Sequence, residues 1–477
     1  MIRSAVGNDG RMGAAFVGGV LLLLVAALAI AVEGFTLPQP LLRRRLSFSL
    51  STPPPTTSLG ATPSSKPYYA DFAPPTTISE PNTVEGIGRG KTAVVAGATG
   101  YIGRAVAREC VSRGYNTIAL VRDVDKASLD KLLDGTKLLQ CDVTNAEEVL
   151  RLLSEVASGK HLARSYEQCG DCHDLPVDIV ASCLAAKSGT EKSVYEIDYQ
   201  ASVNLLEAGS ESSVNARHYL LLSAFCCRNP LLKLQQAKLK LEAKIAEQSG
   251  MTYSIVRPTA FFKSVSGQLE SIIEGNSYVL FGDGTVTHCN PIAEEDLATY
   301  MLDSAVNESM QGRILNVGGP DGPLSNKRLA EMMFESVSLP QKFVYIPTSV
   351  FDFSISLIEW IARTFPSQKM EDVLETAKIG KYYAVEDMLT TAEDEKFGTI
   401  TVKNHFDRIA KEGQDPFTPV RATGLISKAM DLRPLALVSI PLGFGFMTRP
   451  GWLLALPNRA CLCLLGYQIV LCTAKLS

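Results

Sequence analysis

A chain of 477 residues, 46% hydrophobic and 20% charged, has the composition of a globular protein with a sizeable core, in one large domain or two smaller ones. A net charge of −4 gives no electrostatic footprint for nucleic acid, which drops out as a partner class. Eleven cysteines, an odd number set in apolar stretches such as those around Cys183, Cys226 and Cys227, argue against a disulfide framework and for reduced, buried thiols.

Arg3 and Arg11 precede an apolar run over residues 14–32, which reads as a signal peptide with a long core. A single membrane anchor is the alternative, since the run is long enough to span a bilayer. Residues 35–70 then carry no acidic side chain, but do carry Arg43, Arg44, Arg45, Lys66 and many Ser, Thr and Pro. That composition cannot build a core and suits a transit peptide. A signal peptide followed by a transit segment opening on phenylalanine, here Phe35 in GFTLP, resembles the plastid presequences of algae with secondary plastids. The expected divisions are a signal peptide over 1–34, a transit peptide or linker over 35–88, a cofactor-binding domain over 89–260, a substrate lobe over 261–415 and a tail over 416–477.

The strongest local signal is KTAVVAGATGYIGRAVARECVSRGY, from Lys91. A short apolar strand over 92–96 leads into Gly97, Gly100 and Gly103, and an amphipathic helix over 101–113 follows. The first glycine permits a tight turn, the second lets the backbone approach a pyrophosphate, and the third lets helix pack on strand. The helix N-terminus supplies amide donors and the positive end of a dipole. Cofactor contacts are therefore expected from Gly97, Thr99, Gly100, Tyr101, Ile102 and Gly103.

The second strand, 117–121, ends in Arg122, where NAD-specific folds place an acid for the ribose 2′-hydroxyl. An arginine suits a 2′-phosphate instead, with Lys126 adding charge, so the expected cofactor is NADPH. A solvated surface charge is the alternative reading of Arg122. A third strand over 136–140 is followed by Asp142, at the border of the adenine. Further strands over 178–182, 217–223 and 253–257 alternate with helices over 193–210 and 231–249. Such alternation makes an α/β fold: a Rossmann-type, doubly wound parallel sheet with helices on both faces and ligands at the carboxyl ends of the strands.

GATGYIG (97–103), DYQASVNLLEAG (198–209), AKLKLE (237–242), IVRPTAFF (255–262) and NVGGP (316–320) together resemble the atypical, extended short-chain dehydrogenases/reductases. RPTAFFKS and IGKYYAVEDML narrow the resemblance, over residues 90–415, to the branch that reduces the 8-vinyl group of divinyl chlorophyllide pigments with NADPH. The resemblance implies catalytic positions at Ser223 and Lys238, with Lys238 on the nicotinamide ribose, and Pro258 bordering the nicotinamide. It also implies a tetrapyrrole substrate and a smaller C-terminal substrate lobe. Asp198 stands where the asparagine of the wider family would be, and Leu234 where its tyrosine would be. Leucine cannot protonate an oxyanion, so reduction of a ketone is not expected. A conjugated vinyl group needs no such donor at the reacting bond, because the macrocycle accepts the charge. The competing class is a non-catalytic dinucleotide sensor or assembly factor; a reductase of another conjugated C=C is the alternative within enzymes.

Phe261 and Phe262 are candidates to pack on the flat pigment, with simple core as the alternative. VFDFSISLIEWIARTF (350–365) has a broad apolar face that suits a lid, a peripheral membrane contact or an ordinary buried helix. Beyond residue 431 the chain is strongly apolar but interrupted by Arg449, Pro450, Pro457, Asn458 and Arg459, so no clean membrane span is expected. QCGDCH (168–173) has the haem-attachment spacing through Cys169, Cys172 and His173, but it sits in a loop-like insertion and carries no cofactor expectation. No metal site is expected.

Overall fold

The computed structural model describes residues 86–160, 177–186 and 190–414. The expected presequence, the QCGDCH insertion and the apolar tail lie outside the described residues.

Six strands come first: β1 (Thr92–Ala96), β2 (Asn116–Val121), β3 (Lys137–Gln140), β4 (Val177–Ser182), β5 (His218–Leu222) and β6 (Thr252–Pro258). Five follow: β7 (Tyr278–Phe281), β8 (His288–Cys289), β9 (Arg313–Val317), β10 (Leu324–Ser325) and β11 (Phe343–Ile346). The main sheet has seven strands in the order β3-β2-β1-β4-β5-β6-β9. Every neighbouring pair in it is parallel. β1, β2, β4 and β5 are buried along their whole length, which is why they read as continuous apolar runs rather than alternating ones.

The principal helices are α1 (Tyr101–Ser112), α2 (Ala146–Ala157), α3 (Ser202–Ser210), α4 (Lys233–Glu247), α5 (Glu294–Val306), α6 (Asn326–Val337), α7 (Ser349–Thr364), α8 (Gln368–Val385) and α9 (Val402–Glu412). α1 turns Ile102, Val106, Ala107 and Cys110 inward at helical spacing, and α5 packs beside it on one face of the sheet. On the other face Leu153 of α2, Leu205 of α3 and Leu241 and Ile245 of α4 close a second core layer. A third core, around Phe262, Phe334, Tyr382 and Phe406, belongs to the C-terminal lobe.

The two lobes interleave. α5 and β9 lie beyond residue 260 yet return to the main sheet, so the cofactor-binding unit is not confined to 89–260. β9 is an edge strand with Arg313 and Ile314 exposed, and its five residues lack the apolar run that marks the inner strands. The C-terminal lobe adds the parallel pair β7–β11 and the antiparallel pair β8–β10.

Candidate active site

β1 hands over to α1 through the glycine turn. Gly97 has φ +81, a left-handed conformation, and a Cβ there would lie 2.5 Å from the Cys183 carbonyl oxygen at the end of β4. At Gly103 a Cβ would lie 2.1 Å from the Gly97 oxygen, so its absence lets α1 pack against the turn. Gly100 differs: a Cβ there would meet only the Gly97 oxygen, at 3.1 Å. Nothing else among the described residues crowds that side, which leaves it for the approach of a ligand. Gly100 is also the N-cap of α1, no side chain caps the helix, and its first turn carries no acid. The anion-favouring end of α1 is therefore presented uncompensated, and Thr99 lies exposed at its rim. Tyr101 and Ile102 are mostly buried: the Tyr101 hydroxyl donates to Glu294 on α5, and the Lys263 ammonium sits 4.6 Å above the Tyr101 ring.

At the carboxyl ends of β2 and β3, Arg122, Gln140, Cys141, Asp142, Glu148 and Arg151 line a hollow of about 480 Å³. Arg122 is exposed there, and Arg151, ion-paired to Glu155 at 2.8 Å, also lines the hollow. The acid just after Arg122 serves as a helix cap: Asp123 Oδ1 accepts from the Lys126 amide at 2.9 Å at the start of the short helix Val124–Ala127. The Lys126 side chain projects into solvent. Asp142 Oδ1 accepts from both the amide and the hydroxyl of Thr144, and these bonds hold its carboxyl below the usual carboxylate range.

A second group of residues gathers where β4, β5 and α4 meet. Lys238 Nζ lies 3.1 Å from Asp198 Oδ1, and both side chains are almost wholly buried. Burial, the largest effect, pushes the Lys238 ammonium toward neutrality, but the Asp198 carboxylate together with Cys227 and Cys226 outweighs it and the net shift is upward, so the lysine is charged. Asp198 Oδ2 accepts from the Ala186 amide at 2.9 Å. Asp198 stands in a π-helical stretch, Val194–Ala201, that leads into α3. The widened turn sits at the ion pair itself, a placement typical of such bulges.

Ser223 is not joined to Lys238. Its hydroxyl donates to Glu242 of α4, and Glu242 in turn takes Arg257 Nε of β6 at 3.0 Å and Arg257 Nη2. Sequence reading expects Ser223 as a catalytic position at the end of its strand; in the structure its hydroxyl is bonded within a Ser–Glu–Arg network one helical turn beyond Lys238. The signal was present in AKLKLE, where Glu242 follows Lys238 by four residues on the same helical face, but its partner Arg257 is supplied only by the fold. Leu234, one turn before Lys238, is half-buried and apolar.

Pro258 ends β6, buried at the carboxyl edge of the sheet. Phe261 is half-buried with its ring 6.0 Å from that of Tyr101, so it borders the glycine turn. Phe262 takes the simple-core alternative: its ring is fully buried, 4.9 Å from the His405 ring, in the core of the C-terminal lobe. Among the described residues no cluster suits a metal ion.

Comparison with known proteins fits this arrangement. A family model described as NAD(P)H-binding matches residues 97–308. The "Divinyl chlorophyllide a 8-vinyl-reductase, chloroplastic" of Arabidopsis thaliana is 40% identical over 341 residues, covering 67% of this chain and 77% of that protein. The protein of the same name from Cucumis sativus is 37% identical over 340 residues, covering 67% and 76%. The chain belongs to the divinyl chlorophyllide a 8-vinyl-reductase family. Among solved structures, "AtPrR2 with NADP+ and (+)pinoresinol" is similar at 16% identity and a TM-score of 0.48, over 66% of this chain and 98% of that one. Within the 8-vinyl-reductase family the glycine turn, the charged Lys238–Asp198 pair and the apolar Leu234 are the features this chain brings to the site.

Proposed function

We propose that this chain reduces the 8-vinyl group of a divinyl chlorophyllide to ethyl with NADPH, in a plastid. The observation that carries the reading is 40% identity over 341 residues to a chloroplast protein of that name. The geometry agrees with it. NADPH supplies the hydride, which adds at the outer vinyl carbon. The chain holds the cofactor by the uncapped start of α1 at its pyrophosphate, by Arg122 and Arg151 at its 2′-phosphate, and by the Lys238 ammonium at its nicotinamide ribose. Hydride addition leaves a negative charge on the pigment. That charge spreads into the macrocycle, so the reaction proceeds without the phenol that Leu234 replaces. Phe261, beside the glycine turn, borders the pigment.

The test is direct. Incubation with divinyl chlorophyllide and NADPH yields a product heavier by two hydrogens with a blue-shifted Soret band, and Lys238→Ala lowers kcat/KM on the order of 10²-fold. Turnover of a simple ketone with the pigment left untouched would overturn the reading. Delivery to the plastid by a signal peptide over 1–34 and a transit peptide over 35–88 completes it. Sequencing the mature N-terminus checks this, and a start upstream of residue 60 counts against it. A peripheral membrane contact through α7 is favoured by one observation: Phe353 and Trp360, seven residues apart on that helix, are both more than half exposed.

A further inference from the structure

Saturating the vinyl group requires a proton at its inner carbon, and Leu234 has none to give. The carboxyl end of β5 carries a group that does. The strand runs through Ser223 into a short 3-10 turn, Phe225–Arg228, which holds two adjacent cysteines, Cys226 and Cys227. Both are buried. This is the end of the sheet where ligands of such folds sit.

Two helices converge on Cys226. Tyr383 of α8 donates its hydroxyl to Cys226 Sγ at 3.9 Å, and Tyr382 donates to the Cys226 carbonyl oxygen at 3.0 Å. From α4 comes Gln235, fully buried, whose Nε2 has no hydrogen-bond partner among the described residues while its Oε1 accepts from the Leu232 amide at 2.8 Å. A buried amide donor left over in this way points to a group it serves during the reaction. Lys238 stands one turn further along the same helix. The titratable and charged groups facing Cys226 are Cys227 beside it, Lys238 of α4, Arg257 of β6, and Tyr382 and Tyr383 of α8. Glu242 faces Cys227 and is itself held by Ser223 and Arg257.

We propose that Cys226 is the proton donor to the inner vinyl carbon, with Tyr383 and Gln235 as the residues that position it. The assignment rests on the vinyl-reduction reading above. After hydride addition the electron pair lies in the macrocycle and its conjugated side chain. The Cys226 S–H bond breaks, a C–H bond forms at the inner carbon, and the thiolate left behind takes a proton from water before the next turnover. No further oxidant or reductant is needed. The surroundings suit a thiol that must give up its proton: the hydrogen bond with Cys227 first, then that from Tyr383 and the charge of Lys238, hold the Cys226 thiol below its ordinary range against the opposing effect of burial. Tyr382 and Tyr383 lie in IGKYYAVEDML, one of the two stretches on which the resemblance to this family narrows. In this arrangement that stretch brings the C-terminal lobe's phenol onto the Rossmann lobe's thiol.

Two measurements on the full chain test this. In the first, Cys226→Ala and Tyr383→Phe are assayed with divinyl chlorophyllide and NADPH across pH. The expected result is a kcat for Cys226→Ala lower on the order of 10²-fold, with NADPH affinity by fluorescence titration unchanged. The wild type is expected to lose rate as pH rises through the ionisation of the thiol. Tyr383→Phe shifts that alkaline limb to higher pH, because the thiolate has lost a donor. In the second, the thiolate ultraviolet absorbance of wild type minus Cys226→Ala is titrated without substrate, and Tyr383→Phe raises the midpoint. An active wild type with an equally active Cys226→Ala overturns the assignment, and so does a midpoint at the ordinary thiol value that Tyr383→Phe leaves in place. A wild type inert toward the pigment overturns the vinyl-reduction reading instead, and the absorbance titration still decides whether Cys226 is the tuned acid.

Discussion

At Arg122, the residue proposed to read the 2′-phosphate, the guanidinium is exposed at the hollow beside β2 and β3. An acid does follow β2, but Asp123 is turned onto the Lys126 amide as a helix cap, leaving the guanidinium to face the hollow. A charge-assisted hydrogen bond to a phosphate contributes about 1.5–3 kcal/mol. Arg122→Ala is therefore expected to raise the KM for NADPH by about tenfold or more while leaving that for NADH in place. Steady-state kinetics with both cofactors check it, and an unchanged ratio would remove Arg122 as the reader of the 2′-phosphate. The same scale explains Asp198. In place of a neutral amide it puts a buried carboxylate against the buried Lys238, so the ammonium stays charged where burial alone would neutralise it. Lys238 is legible in the sequence from its place in AKLKLE; its partner is forty positions upstream and visible only in the fold.

Among the elements, α7 departs most from the usual pattern of a helix with one buried stripe. Phe351, Ser354 and Ile358 face inward, while Phe353 and Trp360 project outward, and Phe365 follows just beyond the helix end. Ion pairs from Asp352 to Lys381 and from Glu359 to Lys378 fasten it to α8, the helix that carries Tyr383. No helix among the described residues is long and apolar enough to cross a membrane. Burying each aromatic ring contributes about 1.5–3 kcal/mol. A Phe353→Ser/Trp360→Ser double variant is expected to bind anionic lipid vesicles at least tenfold more weakly than the wild type, as read by co-sedimentation. Equal sedimentation of the two proteins would exclude this face as the contact. The sequence reading leaves lid, membrane surface and buried helix open for this stretch, because hydropathy counts apolar residues without saying which of them a neighbour covers.

For the molecule as a whole, stability at mild acidity depends on two histidines buried in different lobes. His218 begins β5, and burial brings its pKa down from 6.5 to about 4. His405 of α9, bonded to the Ser266 hydroxyl at 2.9 Å, is brought down from 6.5 to about 3, by burial first and by Arg408 second. Both folded values lie below the unfolded one, so the unfolded chain takes up the protons first. Their contribution is whole above pH 6.5 and is lost as pH falls toward 4 and then 3. Each proton costs up to about 1.4 kcal/mol per pH unit across that window. Thermal melts between neutral pH and the lower edge are expected to show falling stability, with a shallower slope in His405→Gln, which keeps a hydrogen-bonding group toward Ser266. An identical slope in that variant would mean the C-terminal lobe does not unfold with the rest. What the sequence by itself determined is the opening βαβ unit, the inner strands and the glycine turn, because buried parallel strands need unbroken apolar runs and a phosphate turn needs its glycines at fixed spacing. Only the tertiary structure decided that β9 completes the sheet from the far side of the lobe boundary, that Phe262 is core, that Ser223 serves Glu242, and that Tyr383 meets Cys226. Those are contacts between residues distant in the chain, and local spacing holds no record of which distant partner folding will bring.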